Sequence, residues 1–125
     1  MGRSVQISNS SVTLKLSGFL RFCALKSRVE MPYKIIKDIK VEIFKAPLTM
    51  IRLPGTSMPP LHIHEGSFLH NGDWYFLSYE KKKPVVIIEL EGHKKYRYVV
   101  FETENPDQLV VEIKEKLKEV HHSSS

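Results

Sequence analysis

The chain has 125 residues and a mass of 14.5 kDa, 42% of them hydrophobic, so one domain with a single core is expected. No run approaches the roughly 20 apolar residues of a membrane span, and the lone Cys23 excludes an internal disulfide and fits a reducing, cytoplasmic setting with a buried, inert thiol. A net charge of +5 suits phosphate-bearing partners, nucleic acid or anionic lipid, although lysines on strand edges produce the same balance.

The opening residues have no apolar signal-peptide core, and Gln6 stands where a myristoylation site after Met1-Gly2 wants Ser or Thr. Neither export nor a lipid anchor is expected. From Val5 to Phe22, Val12, Leu14 and Leu16 alternate with Thr13, Lys15 and Ser17, and the pattern then passes Gly18 into Phe19, Leu20 and Phe22. This predicts two half-buried strands with a turn near Ser17-Gly18. Another strand is predicted over residues 27–31, ended by Pro32, and another over 39–43, with Lys37, Asp38, Lys40 and Glu42 turned outward. Between Phe44 and Gly72, Pro47, Pro54, Pro59 and Pro60 exclude a long helix and leave short strands over 48–53 and 61–68. Asn71-Gly72 is the strongest hairpin signal, between 66–69 and 74–77.

The last third is the most strongly specified. The apolar run Val85 to Leu90, the Glu91-Gly92 turn and Tyr96 to Phe101 predict a hairpin. Asn105 is placed to cap a helix, Pro106 to open it, Asp107 to meet its positive end and Gln108 to complete a capping box. Leu109, Val110, Ile113, Leu117 and Val120 then form one apolar stripe, with Glu112 and Lys116 paired at i,i+4. The ordered core is expected over residues 5–120, with His121, His122 and the closing serines as a frayed tail. Seven antiparallel strands and one helix are the expectation, an α+β arrangement.

Several stretches carry a family resemblance. Met31-Pro32-Tyr33 with Ile36 to Val41 resembles the corresponding stretch of bacterial and archaeal pleckstrin-homology-like domains. Arg52-Leu53-Pro54-Gly55-Thr56, then Pro60, Gly66 and Phe68, is similar to the Gly-Thr, Pro, Gly-x-Phe pattern of one such bacterial family. Val85 to Leu90, Gly92, Tyr96, Asn105-Pro106-Asp107 and the last helix continue the likeness, which covers residues 10–120. It departs from the family at His62 and His64, where a less polar strand is usual. The resemblance implies a strongly bent antiparallel sheet, or partly open barrel, closed by the C-terminal helix. It leaves function open, because such folds bind phosphoinositides or peptides or act as scaffolds.

Two constellations carry chemistry. His62 and His64 alternate on a strand, share a face, and with Glu65 and His70 nearby would suit a divalent metal, as in cupin enzymes. Against this, Glu65 falls on the opposite face and His93 lies in a turn. Wet imidazoles on an exposed face are the simpler account. Nucleophilic chemistry has no support from a Gly-x-Ser-x-Gly elbow, and phosphate binding none from a glycine-rich loop. The basic set is Lys81, Lys82 and Lys83 in one loop, Lys94, Lys95 and Arg97 by the next, and Lys15 with Arg21, Lys26 and Arg28 around the first hairpin. Trp74, Tyr75, Phe76 and Tyr79, with Tyr96 and Tyr98, are divided between core and a surface patch suited to a peptide or to stacked bases. The sequence therefore points to a non-enzymatic binding module without cofactor, its partner a protein, a second copy or an anionic ligand. The alternative is a metal-dependent small-barrel enzyme using His62, His64 and His70.

Overall fold

The structure, a computed structural model, describes residues 3–18, 28–45, 51–52, 64–79 and 83–123. Among these, alternating sequence builds nine strands: β1 (Arg3–Ile7), β2 (Ser11–Leu16), β3 (Arg28–Pro32), β4 (Ile36–Ile43), β5 (Ile51–Arg52), β6 (His64–His70), β7 (Asp73–Tyr79), β8 (Pro84–Leu90) and β9 (Tyr96–Phe101). The helix α1 (Pro106–Ser123) follows. The architecture is α+β, with one C-terminal helix, but the strands make two sheets rather than the single bent sheet or barrel of about seven strands expected from sequence. One sheet has three strands in the order β1-β2-β3; the other has six in the order β4-β8-β9-β7-β6-β5.

Pro32 is the reason for the division. It is the last residue of β3 to pair with β2, opposite Ser11, and has no N–H with which to extend the ladder. A single 3-10 turn, Tyr33–Ile35, then redirects the chain into β4 of the second sheet. Hydrogen bonds pin this corner on both sides: Tyr33 N–H donates to Ser10 O at 3.1 Å, and Glu91 N–H to Ile35 O at 2.8 Å.

The first turn lies earlier than any expected. It falls between Ile7 and Ser11, where Ser8 supplies the turn chemistry, and is additional to the one expected at Ser17-Gly18: β2 ends at Leu16, Gly18 has φ 59°, and the strand expected over Phe19 to Phe22 lies outside the described residues. The Ser8 hydroxyl accepts from the backbone N–H groups of Ser10 (3.3 Å) and Ser11 (3.1 Å), and the Tyr33 hydroxyl donates to Ser8 O at 2.6 Å. The Asn71-Gly72 hairpin forms as expected, with φ of 50° and 83° at the two turn residues, both in the region that Asn and Gly tolerate best.

A third departure is in pairing. β8 and β9 form the expected antiparallel hairpin, but β9 inserts between β8 and β7 and runs parallel to β7. Every other pair of neighbouring strands is antiparallel.

This insertion makes β9 and β8 interior strands and buries one face of each and much of the other. Val86, Ile88 and Leu90 of β8, with Val99 and Phe101 of β9 and Phe76 of β7, point to a main core closed by Val12, Leu14 and Leu16 of β2, Val29 and Met31 of β3, and Val110 and Ile113 of α1. Val85 and Ile87, with Val100, Leu77, Tyr79 and Phe68, form a second cluster on the opposite face. The three-stranded sheet is tied down at a further point, where Arg3 Nε donates to the buried Ser78 hydroxyl at 2.8 Å.

The helix lies across β4, β8 and the 3-10 turn, its expected stripe in the main core. Its first hydrogen bond runs from Leu109 N–H to Asn105 O at 3.1 Å, and Asp107 occupies the first turn. Two local expectations change. The Gln108 amide donates to Glu112 at 3.5 Å instead of reaching back to Asn105, and Lys116 pairs with Glu119 at 3.7 Å instead of Glu112. The helix runs through His121 and His122 to Ser123, residues expected to belong to a frayed tail.

Candidate functional site

One residue organises the site. Trp74 opposes Tyr96 across β7 and β9, but the next pair is Tyr75 with Tyr98, so Arg97 is an extra residue and β9 is bulged. The bulge resets the alternation, and the two tyrosines leave opposite faces of the sheet. Tyr96 enters the main core, where its hydroxyl shares a 2.7 Å hydrogen bond with Ser67 and its ring meets Phe76 edge-on at 5.4 Å. Tyr98 stays half-buried and stacks on Tyr75, ring centroids 4.7 Å apart and planes 19° from parallel.

Aromatic rings continue from that stack. Phe44 packs against Tyr75 (6.2 Å) and edge-on against Tyr79 (6.0 Å), and the His70 ring stands edge-on to Tyr75 at 6.3 Å. Burial holds these phenols in the neutral form: that of Tyr79 is pushed up to about 12, and those of Tyr75 and Tyr96 are raised, chiefly by loss of water.

Charge is laid beside the stack. Arg97 Nη2 donates to Glu89 Oε2 at 3.0 Å, a bond that raises the guanidinium pKa, and the Arg97 guanidinium lies 6.0 Å from the Tyr98 ring centre. Its Nε is buried with no acceptor. Glu89 also faces Lys37 at 3.9 Å, and Lys37 reaches Glu91 at 4.0 Å. On the neighbouring surface Lys95 holds its ammonium over Trp74, 4.9 Å from the ring centre, and 5.5 Å from that of Tyr96. His93 serves the turn: its Nδ1 accepts from the N–H groups of Lys95 and Tyr96, both at 3.1 Å. That role requires a neutral ring with an unprotonated Nδ1.

The basic residues singled out from sequence separate into groups. Lys94, Lys95 and Arg97 come together where β9 begins. Lys83 lies beyond the far end of β8, roughly 20 Å away at 3.3 Å per residue, and is held 3.3 Å from Glu102, whose side chain is 12% exposed. Lys15 is on the other sheet, directly opposite Arg28, with both side chains exposed and no carboxylate at ion-pair distance among the described residues. Arg21, Lys26, Lys81, Lys82, Cys23 and His62 lie outside the described residues. His64 and His70 occupy opposite ends of β6, about 20 Å apart along the strand, beyond what one ion spans. His70 Nε2 accepts from the Asn71 amide at 3.2 Å. No group of three potential metal ligands occurs among the described residues.

Sequence reasoning passed over Glu89 and Lys37, which hold Arg97 and Glu91 in place. A signal was present: Glu89 is the only charge in the run Val85 to Leu90. Comparison with protein families, with curated proteins and with solved structures finds no match to this chain.

Proposed function

We propose that the chain is a non-enzymatic, cytoplasmic interaction module of pleckstrin-homology-like type, which binds a protein partner at the end of the six-stranded sheet where β7 and β9 begin. The architectural part of this reading is supported by strands that precede one C-terminal helix whose apolar stripe lies on the sheet. The observation that carries the binding part is the half-buried Tyr75–Tyr98 stack beside the Arg97 bulge. Tyrosine and arginine supply large, stiff contact surfaces with polar ends, and Tyr, Trp and Arg dominate the energetics of protein interfaces.

The charges favour a polypeptide over a polyanion. Lys37, Lys94, Lys95 and Arg97 share this end with Asp73, Glu89 and Glu91, and two of the four cations, Lys37 and Arg97, are already paired with or close to carboxylates. A membrane surface or a nucleic acid backbone selects unpaired cations of one sign. No helix among the described residues is long and apolar enough to cross a membrane.

The test compares wild-type protein with Tyr98→Ala and Arg97→Ala as baits in native lysate. A partner retained by wild type and lost from both variants supports the proposal; identical recoveries on all three baits overturn it. Oligonucleotides and vesicles containing anionic lipid make the second arm. Binding that falls steeply with salt and disappears in Lys94→Glu with Lys95→Glu would replace the protein partner by an anionic one.

A further inference from the structure

A second surface, separate from the aromatic end, has its own complementarity. β4 is the outer strand of the six-stranded sheet, with β8 on one side and no strand on the other among the described residues. From Asp38 to Ile43 its register with β8 is regular, so Ile39, Val41 and Ile43 share the face of the main core, while Lys40 and Glu42 share the opposite face. Ile43 is 49% exposed, one of two exposed large aliphatic side chains among the described residues; the other is Val111, on the helix that packs against β4.

We propose that the occupant of this edge is a second copy of the chain, its β4 added antiparallel about a twofold axis through Val41. An axis perpendicular to the sheet keeps each face in register, so residues whose numbers sum to 82 meet. Val41 meets its own copy, Ile39 meets Ile43, and Lys40 meets Glu42, each of the last two pairings made twice. The exposed Ile43 is thereby set against the other copy's β4 at Ile39, whose own side chain is 2% exposed and stays in its core, and the two sheets become one. Neighbouring registers fail. Centring on Lys40 sets Lys40 against itself and Asp38 against Glu42, and centring on Glu42 sets Glu42 against itself. Lysine on an edge strand ordinarily repels a second strand, but here its position selects one alignment. Within one chain Lys40 and Glu42 are 3.4 Å apart and are 50% and 56% exposed, so both are accessible to a partner and replaceable without disturbing the core.

Light scattering over a concentration series tests this. Wild type should show a dimer that dissociates on dilution. Lys40→Glu and Glu42→Lys each set like charges opposite one another twice and should weaken the dimer about tenfold or more. The double variant restores opposite charges across the axis and should regain the dimer. Circular dichroism confirms that each variant is folded. In a Cys23→Ser background, Val41→Cys should form a disulfide-linked dimer on oxidation, because directly opposed strand residues have Cα atoms about 4.5–5.5 Å apart, within disulfide range. A wild type that is monomeric at every concentration, a dimer indifferent to both single changes, or a double variant as weak as the singles would each overturn the proposal. Partner capture by the Tyr98 surface is read separately, so either proposal survives the failure of the other.

Discussion

The two faces of the six-stranded sheet are written by the same strands, residue by alternate residue, and they differ in kind. On the face towards β2, β3 and α1 the side chains of β8 and β9 are Val86, Ile88, Leu90, Tyr96, Val99 and Phe101, all buried, the Tyr96 hydroxyl being satisfied within the core by Ser67. On the other, Val85, Ile87 and Val100 give way along the sheet to Tyr75, Tyr98, Glu89 and Arg97, which are only half-buried. Branched aliphatic residues close a surface against matched neighbours. Tyrosine, arginine and glutamate leave it partly wet, with groups that another molecule must satisfy. The same backbone thus separates what holds the fold from what is offered outward.

The largest test of that difference is removal of a ring from the closed face. Phe76→Ala or Phe101→Ala should lower stability by about 3–5 kcal/mol in urea denaturation, since both side chains are fully buried. High pH acts on both faces together. The folded protein keeps Tyr33, Tyr75, Tyr79 and Tyr96 neutral to higher pH than the unfolded chain does, so the stabilisation is complete below pH 10 and is lost as pH rises towards about 12. Absorbance titration of tyrosinate should show late ionisation that coincides with loss of circular dichroism; simple titration at pH 10 without unfolding would contradict the burial of these rings.

Smaller effects sharpen the contrast. Ser67→Ala leaves the Tyr96 hydroxyl buried without this partner and should cost about 1–3 kcal/mol, most of which Tyr96→Phe in the same chain should recover. Tyr98→Ala removes a stacked but half-buried ring and should cost about 1–2 kcal/mol, while abolishing partner binding. Should Tyr98→Ala prove as damaging as Phe101→Ala, that face would be core and the interaction surface would lie elsewhere. Arg97→Met should leave the urea midpoint almost unchanged, the smallest effect of the set, because the side chain and its Glu89 partner are both reached by solvent.

What could be seen in the sequence was whatever is local. The apolar stripe of α1, the Asn71-Gly72 turn and the hairpin of β8 and β9 all follow from neighbouring residues, and all are present. The insertion of β9 beside β7 is not local: alternation marks a strand without naming its neighbours. The Arg97 bulge is hidden for a similar reason, since Tyr96 and Tyr98 look like residues of one face until an extra residue between them reverses one. The signal for the first turn is local too, in Ser8-Asn9-Ser10, residues whose side chains bond to nearby backbone, but sequence reasoning passed over it. The candidate site is half visible: Arg97, Lys95 and the tyrosines stand out in the sequence, whereas Glu89, which holds Arg97, and Lys37, which reaches Glu89 and Glu91, look like ordinary strand residues.

The parallel contact between β7 and β9 also has a kinetic meaning. β6 with β7 and β8 with β9 are each hairpins of short closure, and each needs only residues near it in the chain. The sheet is completed when the two meet along β7 and β9, where Phe76 opposes Val99 and Leu77 opposes Val100. Docking of the two hairpins along that seam is expected to set the folding rate, so that deletions of side-chain volume along it should slow refolding more than equal deletions within either hairpin, as stopped-flow refolding of the variants would show.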